Sequence, residues 1–224
     1  MLRPRFPRLG AGFESLETRD LPTASPFGIP WADPDHLTLS FVPDGTPTPD
    51  GPSTLFRTMN AIAPTAVWEG EILRAYESWA ATVNINVGVV ADSGAPLGAL
   101  GAVQGDSRFG DIRIAAAPIQ DSSELAAASP FSWTGTTYSG DIVFDSSRTF
   151  DIGNQPNGYD LYSVAVHEAG HTLGLGHSTA ADSVMQEAYS YHSGLGAGDV
   201  QNIQALYGVR TPDTFDAAKA NNTT

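Results

Sequence analysis

The sequence predicts an α+β domain built on a mixed, twisted sheet of about five strands, with two long helices packed against it. Three observations carry this. Short alternating runs and amphipathic runs follow one another in the order β-α-β-β-β-β-α-α. The 224 residues suit one domain with tails, and no internal repeat is present. The second long helix and the turn after it carry three of the chain's five histidines.

Residues 1–30 hold Pro4, Pro7, Pro22, Pro26 and Pro30 and have no sustained period, so they read as an N-terminal tail, a candidate export or pro-segment. Residues 31–209 read as the folded domain. From His36, HLTLSFV alternates apolar and polar residues between Pro34 and Pro43, which predicts a strand. PDGTPTPDGPS reads as a loop, and TLFRTMNAI is an ambiguous apolar patch. Pro64 or Thr65 opens a helix over PTAVWEGEILRAYESWAATV, with Val67, Ile72, Ala75, Tyr76 and Trp79 near helical spacing. NINVGVV, GDIRIAAA, ELAAAS and GDIVFDS follow as strands, with Ile112 and Ile114, then Ile142 and Phe144, sharing faces.

Asp160 is placed to cap the next helix, and Tyr159 to staple against Val164. That helix runs LYSVAVHEAGHTLG and is expected to stop at Gly174 or Gly176. A last helix, DVQNIQALYG, puts Val200, Ile203, Leu206 and Tyr207 on one side and ends at Gly208. Residues 210–224 read as a polar tail.

Composition removes whole classes of function. The net charge is −14, and Arg3, Arg5, Arg8 and Arg19 hold four of the eleven basic residues within the first nineteen positions. The remainder is strongly acidic, which argues against nucleic acid as a partner. Acidic loops also fit Ca2+, with solvated loops as the simpler reading. With no cysteine, there is neither a disulfide framework nor a thiolate ligand, so histidine and carboxylate are the strong metal ligands left. No run approaches the roughly 20 apolar residues of a membrane span. The basic N-terminus lacks the apolar core of a standard secretory signal, although RLGAGFESLETRDLP resembles a stretch found in exported bacterial proteins.

The chemistry concentrates in HEAGHTLGLGH, residues 167–177. His167 and His171 stand one helical turn apart and project from one face, where two imidazoles can reach an ion at about 2 Å. Glu168 lies beside the first of them, placed to take a proton from water at the metal. Were the helix to continue, His177 would point away; Gly174 can turn the chain back and bring it in as a third ligand. Three ligands leave a fourth position open, as catalytic zinc sites do.

HEAGHTLGLGHS followed by SVM resembles the metzincin metalloproteases, and Ser178 after the third histidine points to the matrixins within them. DLYSVAVHE is similar to the matrixin NLxxVAxHE, GDIVFD to GDxHFD, and LGAGDVQNIQALYG to LxxDDIxGIQxLYG. VWEGEILRAYESWAATVNINV is similar to the family's first helix and the strand after it. The resemblance covers roughly residues 36–209 and implies a zincin-like fold and zinc-dependent endopeptidase activity on extended polypeptide. It implies one catalytic Zn2+ on His167, His171 and His177, with Glu168 as general base and then proton donor to the leaving amine. Met185 would form the floor beneath the site. The edge strand at Leu125 and Ala126 would pair with substrate backbone, and Tyr189 would shape the main specificity pocket.

The departures are informative. Ala127 and Val143 stand where the family has histidines for a second zinc, and no HxD pair precedes DIRI, so that ion is expected to be absent. After GDIVFD only Asp145 remains of a calcium site, and Glu187 replaces a proline two residues past the methionine. No cysteine can act as a latency switch. This pattern looks like bacterial matrixin-type peptidases. A monomer, secreted or held at the cell surface, is expected. The rival readings are a non-enzymatic, zinc-stabilised surface or adhesion module, and a zinc hydrolase of another class such as a cell-wall amidase.

Overall fold

The computed structural model describes residues 27–121, 123–132 and 135–212; of the tails expected at residues 1–30 and 210–224, residues 1–26 and 213–224 lie outside them. Strand β1 (Leu37–Phe41) follows a single 3-10 turn at Pro34–His36. The stretch expected to be a plain loop instead forms a small hairpin, β2 (Pro47–Thr48) and β3 (Gly51–Pro52). Thr48 Oγ1 closes it by donating to the Gly51 carbonyl at 2.6 Å, and Gly51 takes φ +130°, a conformation side chains disfavour. The ambiguous patch after it is a short helix, α1 (Leu55–Met59), whose first backbone N–H groups donate to the Asp44 carboxylate.

Helix α2 (Thr65–Ala80) starts after Pro64 as expected, but its buried face runs through Trp68, Ile72, Ala75, Tyr76 and Trp79. Val67, placed on that face from the sequence, is 46% exposed. The register is set by Trp68, whose larger ring is removed from water while its indole N–H donates to Asn60. Strands β4 (Val87–Val89), β5 (Ile112–Ala117), β6 (Ala126–Ala128) and β7 (Ile142–Asp145) complete the main sheet. Its order is β4-β1-β5-β7-β6, parallel throughout except for β6, which runs antiparallel to β7 at one edge. This is the mixed five-stranded sheet the sequence implies. A two-residue parallel bridge, β8 (Phe150–Asp151) with β9 (Tyr159–Asp160), leads into helix α3 (Leu161–Thr172), and α4 (Ala197–Tyr207) closes the domain.

The main core lies between one sheet face and the helices, joining Ile112, Ile114, Ile142 and Phe144 to Trp68, Trp79 and Val166. Two bonds fix α2 against α3. The Trp79 indole donates to the Val166 carbonyl at 3.0 Å, and the Tyr76 and Thr172 hydroxyls meet at 3.2 Å. The opposite sheet face is also covered, which is why every residue of β5 is buried. There Arg113 makes a two-pronged ion pair with Asp92, both bonds 2.8 Å, and donates to the Ala95 and Pro96 carbonyls. The side chains of the pair are 0% and 1% exposed. This contact clamps the long β4–β5 connection over the sheet.

Candidate active site

Helix α3 is positioned from its first turn. Asp160 Oδ1 accepts from the Ser163 backbone N–H and hydroxyl, capping the helix as expected, while Oδ2 accepts from Gly153 and Asn154. The Tyr159 ring meets Tyr189 edge-on at 5.0 Å. The helix ends at Thr172, Gly174 takes φ +97°, and the chain reverses, with the Leu175 N–H donating to the Gly170 carbonyl.

That reversal brings the three imidazoles together. His171 Nε2 lies 3.0 Å from His167 Nε2 and 3.2 Å from His177 Nε2. Ligands about 2.0–2.1 Å from one tetrahedral ion stand about 3.3 Å apart, so the spacing fits zinc. His167 Nδ1 donates to the Val184 carbonyl and His171 Nδ1 to the Leu175 carbonyl, each at 2.8 Å. A carbonyl only accepts, so these bonds put the proton on Nδ1 and leave the Nε2 lone pairs converging. Burial pushes both imidazoles toward the neutral, ligating form: His167 is lowered, and His171 is held down to about 3, helped by the charge of His167. Among the described residues these histidines are the group able to hold a metal.

Glu168 is 6% exposed and has no hydrogen-bonding partner among the described residues. Burial first, and the charge of Glu124 second, push its carboxyl up to about 8. A divalent ion at the imidazoles would draw it back toward the carboxylate.

Behind the histidines, Met185 is fully buried, and its carbonyl accepts from Ser178 at 2.8 Å. Asp199, at the third position of α4, accepts from the Ser183 hydroxyl and from the Val184 and Gly196 N–H groups. Asp199 thus fixes the N–H of Val184, the residue whose carbonyl accepts from His167 Nδ1. From the sequence Asp199 reads only as part of a terminal helix; an acidic residue in its first turn is the one local signal. Phe27 is a second unforeseen contributor. Its ring lies 4.8 Å from that of His171, and its N–H donates to the Gly174 carbonyl. Its Pro-punctuated surroundings carry no periodicity to mark it.

The histidines open into a cleft of about 780 Å³ that Leu125, Ala126, Glu168 and Tyr189 also line. Strand β6 forms one rim. The Leu125 carbonyl accepts from Asp145 and the Ser129 N–H donates to Asp141, both toward β7. Alternation then turns the backbone groups of Ala126 and Ala128 outward, to the free edge of the sheet. Tyr189 is fixed opposite, its hydroxyl accepting from the Asp160 N–H at 2.9 Å.

Ala127 and Val143, where the second-zinc histidines would stand, face each other across β6–β7. The Asp145 carboxylate is taken by Ile119, Ser147 and the Arg148 guanidinium, a cation already in place where the resemblance put calcium.

Comparison with known proteins places the chain in a family. The chain is 42% identical over 80 residues to human (Homo sapiens) matrix metalloproteinase-20, covering 34% of this chain and 16% of that protein. It is 46% identical over 77 residues to matrix metalloproteinase-25 of Mus musculus, covering 31% and 12%. It is also 46% identical over 77 residues to stromelysin-3 of Xenopus laevis, covering 34% and 16%. The matched stretches thus span about a sixth or less of these relatives' own lengths. The matrixin family profile matches residues 57–208, more than half of the chain, from α1 through the three histidines and Met185 to α4. The chain belongs to the matrixin family.

Proposed function

We propose that this protein is a zinc-dependent endopeptidase that cleaves extended polypeptide, with residues 31–209 as its catalytic domain. One observation carries the reading: His167 Nε2 and His177 Nε2 lie 3.0 and 3.2 Å from His171 Nε2 beside a buried, unpartnered carboxyl, in a cleft bordered by a free strand edge. His167, His171 and His177 would hold the metal. When bound, zinc supplies Lewis acidity toward the scissile carbonyl and a lowered pKa for the attacking water. Glu168, facing the cleft, accepts the proton of that water and returns it to the departing amine. The outward backbone of Ala126 and Ala128 pairs with the substrate strand, and Leu125 contributes its side chain to the same rim. Tyr189 forms the wall of the pocket for the side chain at the cut, and Met185 supports the histidines from below.

The site draws on one catalytic ion. Calcium is not part of the proposal, because the donors around Asp145 already satisfy its carboxylate. The protein acts outside the cell or at its surface, as a monomer, in keeping with the matrixin resemblance; no helix among the described residues is long and apolar enough to cross a membrane. A purely structural zinc module would have no use for Glu168, and no observation favours it.

The test is Glu168→Ala. The purified protein should cleave casein or a mixed peptide library, and the variant should lose about 10²–10⁴-fold in rate while still binding one zinc per chain. Full activity in the variant would overturn the assignment.

A further inference from the structure

We propose that the cleft selects substrates bearing arginine or lysine side chains beside the scissile bond. This deepens the endopeptidase reading and rests on it.

The cleft wall carries Asp121, Glu124 and Glu187 at its rim and Glu168 at its base, and among the described residues no lysine or arginine lines it. The rim carboxylates of Glu124 and Glu187 are exposed and have neither an ion pair nor a hydrogen bond among the described residues. Asp121 feels the charge of Arg148, but that guanidinium bonds the Asp145 carboxylate at 3.0 Å. A cleft with low-dielectric walls concentrates the field of such charges and raises the local concentration of the opposite charge.

The chemistry of the wall fits a long cationic side chain better than a small ion. Val164, Val184 and Tyr189 offer an apolar surface on the side of the cleft formed by α3 and the Met185 segment. A lysine or arginine stem lies along such a surface while its charged head stays at the wet rim, among the carboxylates. Two independent features point to a peptide as the carrier of that charge: the outward backbone of Ala126 and Ala128, and the unpartnered Glu168 facing the same space. At the rim an acidic peptide would meet the like charge of Asp121, Glu124 and Glu187.

The experiment uses internally quenched peptides identical except at one position, which holds arginine, its uncharged isostere citrulline, or glutamate; that position is moved across the cut. At low salt, kcat/KM for arginine should exceed that for citrulline by roughly three- to tenfold at one or more positions. Glutamate should be poorest, and the preference should shrink as salt is raised. A Glu124→Gln/Glu187→Gln double variant should bring the arginine-to-citrulline ratio close to one while still binding one zinc. Equal rates for arginine and citrulline in the unaltered protein, or an arginine preference unchanged in the double variant, would overturn the proposal. Should no peptide be cut by zinc-loaded protein, the endopeptidase reading fails. Fluorescence-anisotropy binding of the arginine and citrulline peptides to Glu168→Ala protein then decides the charge preference separately.

Discussion

The thioether of Met185 lies directly against Gly170, so that a Cβ at position 170 would collide with its sulfur. Gly170 sits on α3 immediately before His171, with the Trp79 ring close on another side. Gly170→Ala should therefore destabilise the protein by about 1–3 kcal/mol through overpacking, although alanine favours helix elsewhere. Urea denaturation will measure this. Combining it with Met185→Ala should cost less than the sum of the two single changes, and simple additivity would count against the contact.

Asp199 holds the N–H of Val184, whose carbonyl accepts from His167 Nδ1. Asp199→Asn should weaken zinc binding by about 10–100-fold, read by competition with a chromogenic chelator. Thermal stability of the zinc-free protein should fall as well, since two donors of the Met185 segment lose a charged acceptor. Unchanged zinc affinity would dissociate Asp199 from the site.

Removing the metal should expose two opposed proton linkages. His171, held down to about 3 in the fold against an ordinary 6.5, stays neutral where the unfolded chain takes a proton. Its contribution is whole above pH 6.5 and is lost as pH falls toward 3. Glu168, raised to about 8 from an ordinary 4.5, contributes below pH 4.5 and loses that contribution as pH rises toward 8. The two cancel in part between 4.5 and 6.5. Metal-free protein should hence lose stability above pH 6.5, and Glu168→Gln should flatten that decline. Melting in excess chelator at pH 6.5 and 8 gives the answer; parallel declines would refute it.

Arg113 and Asp92 form a pair cut off from water. Arg113→Met should cost about 3–5 kcal/mol, because Asp92 would remain buried without its counter-ion. Replacing both with apolar residues should restore much of that loss, a comparison made by chemical denaturation of the single and double variants.

The local parts of this molecule were legible in the sequence. Asp160 at a helix start, Gly174 at a helix end and the apolar pairs of β5 and β7 each act within a few residues, where spacing and turn chemistry decide. The histidine site is equally local in its first two members. What escaped the sequence is held by partners far along the chain. Val67 and Trp68 were equally eligible for the core, and the Asn60 acceptor and the sheet decided between them. Phe27 reaches His171 across 144 positions, and Asp199 reaches Val184 from another helix. The β2–β3 hairpin is too short to show alternation.

Ala127 and Val143 meet where a metal would otherwise tie the edge strand to its neighbour. Neither side chain can coordinate anything, so hydrocarbon contact and the backbone ladder join β6 to the sheet. The architecture and the chemistry therefore draw on separate supplies. The zinc-free chain is thus expected to hold its fold and to take up zinc afterwards at a finished site, which circular dichroism of chelator-treated protein checks. Metal starvation would idle such a protein without unravelling it, and returning the ion would restart it from a folded store.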